Sequence, residues 1–317
     1  MTELSTATLD APESRPRGMP RTPSAFYRGA LWRAGLAVAR RLPGRLVGGA
    51  ALLFGGLYWA GHPRRRAVVT RNLLPLCDND PVAARRATRR LYGQFARKLA
   101  DLWRWEAGRP LDDAFHTLIG WDVLEEVHAR GRGALLVTPH LGNWEIGGSL
   151  LVQRGLDLLV LTQAEPEADL TELRRQSRSR HGIETLVIGQ DAFAGVEVIK
   201  RLQAGRMIAL LVDRPPAATS AEVRLFGRPF RASTAPAELA RASGCAVLGT
   251  QIVRVGRGYE ARVLPEFQYD RRALGRREER VRFTQEILAA FEPALRRHPD
   301  QWYHFVPIWP APASAGR

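Results

Sequence analysis

The sequence predicts an α/β protein whose mostly parallel sheet is flanked by helices, with an N-terminal membrane-associated helical segment. From residue 133 onward, short continuous apolar runs alternate with stretches of helical periodicity, as in buried parallel strands joined by helices. Before them, residues 46–61 form an uncharged apolar run between clusters of arginine, which indicates a helix at a membrane. The 317 residues suffice for one large domain or two small ones.

The N-terminal part contains two of the predicted regions. Residues 1–24 are rich in Ser, Thr, Pro and Arg and are predicted to be a disordered tail without a cleavable signal peptide. Residues 25–66 are assigned to the membrane-associated helical segment. Its apolar run is shorter than the roughly 20 residues of a spanning helix, so it is expected to lie in the membrane interface, with Tyr58 and Trp59 at headgroup depth. The alternative is a buried helix in a soluble core.

Residues 67–310 are assigned to an α/β domain and residues 311–317 to a second tail. Apolar residues at helical spacing predict one helix over about 81–105, and another is predicted over about 276–297. The segment that follows residue 213 is expected to be a loop that leads into a helix. Strands are predicted at residues 133–139, 157–163, 184–189, 207–213, 245–253 and 259–265, the last two as an antiparallel hairpin.

The charge balance favours an anionic partner, because the formal net charge is +15. Such a surface attracts nucleic acid, anionic lipid headgroups or acidic carrier proteins. A nucleic-acid-binding protein is suggested by charge alone, since no helix-turn-helix, zinc or RNP-type pattern is present, and no nucleic acid is expected as a partner. The two cysteines, Cys77 and Cys245, lack metal-ligand spacing and fit a reducing compartment.

The candidate catalytic residues lie at the end of the strand predicted at 133–139, in the segment TPHLGNWEIGG at 138–148. His140 is predicted at the carboxyl end of a buried strand, where open α/β sheets bind ligands. Glu145 opens the next helix, so its carboxylate is expected to turn back to the imidazole, fix its tautomer and stabilise its charged form. With this pair, His140 deprotonates an acceptor hydroxyl, which attacks a thioester.

Other kinds of site are less well supported. A histidine beside a strand end is often structural, and His-x4-Glu spacing also arises by chance. Metal binding needs a third ligand, which is not close in sequence, so no metal is predicted. The chain contains no G-x-S-x-G elbow, no phosphate-binding P-loop and no dinucleotide-binding fingerprint, and no cofactor is expected.

Segment 138–148 resembles the catalytic motif of the bacterial lipid A biosynthesis (lauroyl/myristoyl) acyltransferases. It is equally similar to that of the phosphatidylinositol mannoside acyltransferases of the same family, within the wider lysophospholipid acyltransferase superfamily. Blocks at residues 207–216, 223–248 and 298–309 agree with the family in order and spacing, so the resemblance covers about residues 25–310. It implies transfer of a fatty acyl group from a thioester to a hydroxyl of a membrane glycolipid.

The resemblance also implies roles for individual residues. His140 matches the family's catalytic base and Glu145 its partner carboxylate, while Asn143 lies inside the motif as a substrate-binding residue. Asp213 and Arg214 match substrate-binding residues at the carboxyl end of a strand.

A basic residue of the family that handles the thioester oxyanion or a phosphate falls at Arg178 or Arg180, and the sequence leaves the choice open. The alternative is that this helix only presents a solvated basic face. Acyl-CoA or acyl carrier protein is the implied donor and a membrane lipid the implied acceptor. The implied location is the cytoplasmic face of the cell membrane.

One departure from the family concerns the acceptor. Lipid A acyltransferases typically continue from Gln-Trp into a basic segment, whereas this chain continues from Trp302 into Tyr-His-Phe-Val-Pro. The ending is closer to the phosphatidylinositol mannoside type, so that lipid or another phospholipid is the alternative acceptor. The non-enzymatic alternative is a basic protein that binds the membrane surface.

Overall fold

The computed structural model describes residues 28–109, 114–165, 167–188, 194–216 and 219–310. The two predicted tails lie outside these residues. The helices are α1 (Gly29–Arg41), α2 (Gly44–Gly61), α3 (Pro63–Leu73), α4 (Pro81–Glu106), α5 (Trp121–Ala129), α6 (Trp144–Gln153), α7 (Ala168–Arg180), α8 (Ala194–Gln203), α9 (Ala235–Ser243), α10 (Arg277–Ala289) and α11 (Glu292–Arg297). The strands are β1 (Phe115–Ile119), β2 (Ala134–Thr138), β3 (Leu158–Gln163), β4 (Ile183–Ile188), β5 (Met207–Leu211), β6 (Ser220–Leu225), β7 (Arg228–Ser233), β8 (Ala246–Val255) and β9 (Gly258–Val263).

A seven-stranded sheet in the order β1-β9-β8-β2-β5-β3-β4 confirms the predicted α/β class. The strands from β8 to β4 in this order run parallel, and the predicted hairpin joins β8 to the antiparallel β9. All five residues of β2 are buried, which is why its sequence is continuously apolar rather than alternating. Helices pack on both faces, so β2 and its neighbour β5 lie at the centre of the molecule.

Three parts of the prediction are wrong. The expected loop after residue 213 contains an antiparallel pair, β6 and β7, whose outward residues are charged and hide the strand pattern. The short strand β1 was not predicted, because it is half-exposed at the sheet edge. The helix expected over 276–297 is two helices, and Pro293, which lacks an N–H, lies in the first turn of the second.

The N-terminal helices pack against α4. The helix predicted at 46–61 is confirmed as α2, which contacts α4 so closely at Gly55 that a Cβ there would lie 2.9 Å from that of Ala96. The other face of α2 is open, with Leu46, Leu53 and Leu57 between 57% and 67% exposed. Helix α2 is therefore not the buried core helix that the sequence offered as the alternative.

Tyr58, expected at headgroup depth, is buried and stacks on His62. Within the described ranges, no helix combines the length and apolar character needed to cross a bilayer.

The turn that follows β2 depends on Gly142. Its φ is +64°, and a Cβ there would overlap the carbonyl oxygen of Ile252 in β8. The N–H of Gly142 donates to the Gln301 carbonyl oxygen at 2.8 Å, and the N–H of Asn143 donates to that of Ile252 at 2.8 Å. The turn is thus held between β8 and the C-terminal segment with room only for glycine.

We predict that Gly142→Ala destabilises the protein more than Gly131→Ala. Gly131 has a similar φ of +66° but no atom within 4 Å of an added Cβ, so its substitution measures left-handed strain alone, about 1–2 kcal/mol. At Gly142 the overlap with backbone adds an overpacking cost of about 1–3 kcal/mol. Urea unfolding of both variants measures the difference, and equal losses would contradict the prediction.

Candidate active site

Neighbouring strands bring His140 and Asp213 together. Thr138 of β2 pairs with Leu211 of β5, so two residues further on His140 and Asp213 come level at the carboxyl edge of the sheet. His140 Nδ1 lies 2.5 Å from Asp213 Oδ1, and the backbone N–H of His140 donates to Asp213 Oδ2 at 2.9 Å. The sequence placed both residues at strand ends, and the strand order makes them partners.

The C-terminal segment completes the surroundings of Asp213. Trp302 Nε1 and His304 Nε2 each donate to Asp213 Oδ2 at 2.8 Å, and the Asp213 side chain is fully buried. The Tyr303 N–H donates to the His140 carbonyl oxygen at 3.0 Å, which ties this segment to the turn after β2. Sequence reasoning missed Trp302 and His304 as site residues. The one sequence signal for them is that both lie in the block 298–309, which resembles the family.

The hydrogen bonds determine the tautomers of both histidines. Asp213 is an acceptor, so His140 carries its proton on Nδ1 and His304 on Nε2. Arg214 Nε donates to His304 Nδ1 at 3.3 Å, which is consistent with this assignment. His140 Nε2 therefore keeps a lone pair, as a general base requires.

The pKa shifts of the pair keep His140 neutral and Asp213 charged. Burial lowers the pKa of His140, and the Arg214 charge acts in the same direction, which together outweigh the opposing effect of Asp213. Burial alone would raise the pKa of Asp213, but His140 and His304 hold it well below its ordinary range. At neutral pH the imidazole is thus uncharged, and the carboxylate beside it is ionised.

Ligand atoms of His140, Asp213 and His304 lie within 4.8 Å of one another and could in principle hold a metal ion. Of these three residues, Asp213 and His304 are both distant from His140 in the sequence, and His304 belongs to the C-terminal segment. However, both rings direct a nitrogen at the Asp213 carboxylate, and the Arg214 guanidinium bonds the other nitrogen of His304. These hydrogen bonds account for the cluster without a metal.

Glu145 does not contact the His140 ring through any hydrogen bond or ion pair of the described chain, contrary to the sequence prediction. Its carboxylate forms ion pairs with Arg174 and Arg178, the latter at 2.8 Å. At the start of α6 it is the Trp144 ring that contacts the His140 ring edge-on, with centroids 5.0 Å apart. Burial would raise the pKa of Glu145, but the two arginines outweigh it and hold the pKa well below its ordinary value.

The two candidate arginines of α7 lie in different surroundings. Arg178 is buried and lines a large cavity that His140 also lines, whereas Arg180 is exposed at the end of the helix. Arg174, which the sequence did not single out, lines the same cavity and also pairs with Glu165 at 2.6 Å. The helix therefore presents one basic face to the cavity and another to solvent.

Asn143 is buried outside the cavity lining. Its Nδ2 donates to the Tyr259 hydroxyl at 3.2 Å and to the Lys98 carbonyl oxygen at 3.5 Å. Its side chain does not cap α6. The substrate-binding role of Asn143 stays a prediction, and the structure gives its amide a structural use.

A cavity of about 1150 Å³ opens beside His140. This volume exceeds the roughly 300–1,000 Å³ of most small-molecule sites. Its charged or basic lining residues include Lys98, His140, Glu145, Arg174, Arg178 and Arg214. Its apolar lining residues include Leu136, Leu151, Leu158, Val160, Leu170 and Ile183. The cavity can therefore hold a long apolar chain with a polar end near His140.

Comparison with known proteins agrees with this geometry. Residues 22–310 match the family described as bacterial lipid A biosynthesis acyltransferase. The chain is 30% identical over 294 residues to the phosphatidylinositol mannoside acyltransferase of Mycobacterium tuberculosis, which covers 90% of this chain and 89% of the relative. It is 28% identical over 296 residues to the enzyme of the same name from Mycolicibacterium smegmatis, covering 90% and 92%.

The match spans all the elements that form the site, from α1 to the C-terminal segment. The protein is thus an enzyme, and the non-enzymatic membrane-surface alternative is not supported. The chain belongs to the bacterial lipid A biosynthesis acyltransferase family and is an acyltransferase that acts on a membrane lipid.

Proposed function

We propose that the protein transfers a fatty acyl group from a phosphopantetheine thioester to a hydroxyl of a membrane glycolipid, with His140 as general base. The observation that carries this proposal is the neutral imidazole of His140, which Asp213 holds through Nδ1 at the side of a large cavity with a partly apolar wall; among the described residues none forms a hydrogen bond with Nε2. Such a base activates a hydroxyl without a covalent acyl-enzyme.

In the proposed reaction, the acceptor hydroxyl gives its proton to His140 Nε2 while its oxygen bonds to the thioester carbonyl carbon. The tetrahedral intermediate then collapses, the C–S bond breaks, and the leaving thiolate takes the proton from His140. Asp213 orients the ring and stabilises the transient imidazolium. This is the role that the sequence assigned to Glu145.

Glu145 has a different proposed role, which is to position Arg174 and Arg178. Its two oxygens bond one guanidinium each, so the pair is held at the cavity wall beside the reacting groups. Burial of two unpaired guanidinium groups would be costly, and the carboxylate offsets that cost. We propose that these arginines hold the donor near its thioester end.

The donor is proposed to be acyl-CoA or acyl carrier protein, since both carry the acyl group on a phosphopantetheine arm. Arg64, Arg65 and Arg71 of α3 line the same cavity, and Arg64 and Arg71 are exposed to solvent. Guanidinium groups suit phosphate because they donate paired hydrogen bonds. A phosphate-bearing donor would therefore approach the cavity from the side of α3.

The proposed acceptor is a mannosylated phosphatidylinositol rather than lipid A. Two observations support it: the curated relatives are phosphatidylinositol mannoside acyltransferases, and the chain continues after Trp302 without the basic segment of the lipid A type. A mannose hydroxyl is the group that His140 would deprotonate.

We further propose that the enzyme works on the cytoplasmic face of the cell membrane, where thioester donors are available. The exposed apolar face of α2 and the arginines at both of its ends suit a helix in the membrane interface. This places no helix across the bilayer. We propose that residues 25–66 attach the protein to the membrane and that residues 67–310 form the acyltransferase domain.

His140→Ala should reduce acyl transfer by about 10²–10⁴-fold, because the acceptor hydroxyl loses its base. Asp213→Asn should also reduce turnover, because the amide group cannot balance the imidazolium charge. His128→Ala, at an exposed histidine on α5, is the matched control and should leave the rate unchanged. Transfer is measured from a long-chain acyl-CoA to a mannosylated phosphatidylinositol in mixed micelles. A folded His140→Ala protein with a near-normal rate would refute the mechanism.

Arg178→Ala should impair transfer and Arg180→Ala should not, because only Arg178 lines the cavity and bonds Glu145. If Arg178 binds the donor, its loss raises the apparent KM for acyl-CoA. The measurement is steady-state kinetics with varied donor at fixed acceptor. Equal behaviour of the two variants would mean that α7 offers only a solvated basic surface.

The double substitution Leu53→Ser and Leu57→Ser should release the protein from vesicles that contain anionic phospholipid, because it removes apolar area from the open face of α2. Val196→Ser is the control, because Val196 is 50% exposed on α8, outside this surface. Vesicle flotation measures binding. Undiminished binding of the double variant would exclude this face as the attachment site.

A further inference from the structure

Lys98 is a buried lysine that neither the sequence motif nor the proposed mechanism uses. It lies on α4, is 6% exposed and lines the cavity that contains His140. Its Nζ lies 3.3 Å from the centroid of the Trp144 ring, and Trp144 is the residue whose ring contacts His140. The ammonium group is therefore close to the place where acyl transfer would occur.

Lys98 differs from the other cations near His140 in its partners. Arg174 and Arg178 are paired with Glu145, and Arg214 donates to His304 and to the Tyr303 carbonyl oxygen. In the part of the chain that the structure covers, no hydrogen bond or ion pair engages Lys98 Nζ. Its described partner is the face of the Trp144 ring, which attracts a cation but accepts no conventional hydrogen bond, so the ammonium can still donate to an anionic ligand in the cavity.

Resting on the proposed function, we infer that Lys98 is a further catalytic residue, which binds the oxyanion of the tetrahedral intermediate. When the acceptor oxygen attacks, the carbonyl π electrons move to the thioester oxygen, which becomes negatively charged. The Lys98 ammonium donates a hydrogen bond to that oxygen. When the intermediate collapses, the electrons return, the carbonyl reforms and the C–S bond breaks, so no proton needs to leave Lys98.

The surroundings favour a single oxyanion over a phosphate. Besides Trp144, the rings of Phe95 and Tyr303 lie about the ammonium, each with its centroid 5.9 Å from Nζ. Such apolar walls strengthen an interaction with a charge that appears only during the reaction, because little water competes for it. A phosphate carries more oxygens than one ammonium can satisfy and is better matched by the arginines of α3.

The protonation state of Lys98 gives the inference a pH signature. Burial lowers the pKa of Lys98 to about 7, Glu145 opposes this, and Arg174, Arg214 and Arg178 add to it. Other titratable groups that line the cavity include His140, which is neutral, Tyr303, whose pKa is raised by burial, and Glu165, which pairs with Arg174. The ammonium is thus present below about pH 7 and is lost as the pH rises, and oxyanion binding should fade with it.

The test compares Lys98→Met with Lys200→Met. These are the two lysines of the chain, and Lys200 is exposed on α8 outside the cavity. Methionine keeps the length and apolar contacts of the lysine stem, and thermal melting checks that both variants fold. Transfer from a long-chain acyl-CoA to mannosylated phosphatidylinositol is measured with both substrates varied.

For Lys98→Met we expect kcat to fall by about 10²-fold or more, as for other oxyanion donors, with little change in either KM. Lys200→Met should match the wild type. A folded Lys98→Met protein with unchanged kcat, or with a change confined to KM, would overturn the inference. Absence of transfer by the wild-type enzyme would instead count against the proposed function.

A second readout separates an oxyanion role from a structural one. Over about pH 6 to 9, kcat of the wild type should decline as Lys98 loses its proton, whereas the residual kcat of Lys98→Met should lack this decline. A structural role would lower kcat at every pH and preserve the shape of the profile. The same alkaline decline in Lys98→Met would therefore overturn the inference.

Discussion

The fold and the site both depend on the hydrogen bonds that the buried carboxylate of Asp213 accepts. An ionised carboxylate removed from water is costly unless hydrogen bonds replace its hydration. Here the backbone and ring of His140, the indole of Trp302 and the ring of His304 supply four donors. These donors come from the turn after β2 and from the C-terminal segment. Satisfying one charge therefore joins two distant parts of the chain at the edge of the sheet.

The same requirement accounts for the order of groups around His140. Arg214 donates to His304, His304 donates to Asp213, and the Asp213 carboxylate also accepts a hydrogen bond from His140 Nδ1. Each bond in this series determines the direction of the next one, because every ring nitrogen is either donor or acceptor. The series ends at His140, which lines the cavity and keeps a lone pair on Nε2. The orientation of the His140 ring is thus a property of the folded network and not of one neighbouring residue.

Charge pairing also explains how a cavity suited to a lipid chain tolerates so many ionic groups. Glu145 forms ion pairs with two arginines, and Glu165 supplies the second negative charge as a further partner of Arg174. The N-terminal helices take part in this wall. The indole of Trp32 on α1 lines the cavity, its Nε1 donates to Glu106 at 2.7 Å, and its ring lies 5.2 Å from the Arg174 guanidinium. The region predicted to contact the membrane is therefore continuous with the site.

Local patterns in the sequence determined the main elements and the position of His140 at the end of a strand. Continuous apolar runs mark β2 and β5 because strands covered on both faces need no alternation, and His140 follows the end of β2. Patterns failed where burial is partial or charged residues face outward, as in β1 and the pair β6 and β7. A continuous helical pattern also concealed the break between α10 and α11.

Pairing between distant residues was decided only by the tertiary structure. The spacing of His140 and Glu145 predicted a contact, but the helix start turns Glu145 toward α7, and the strand order brings Asp213 to His140 instead. Sequence proximity determines which residues can meet within one turn of helix. Which carboxylate meets the imidazole depends on strand order and on the competition among charges for partners. Those are properties of the whole fold, because a buried charge takes the donors that packing brings to it.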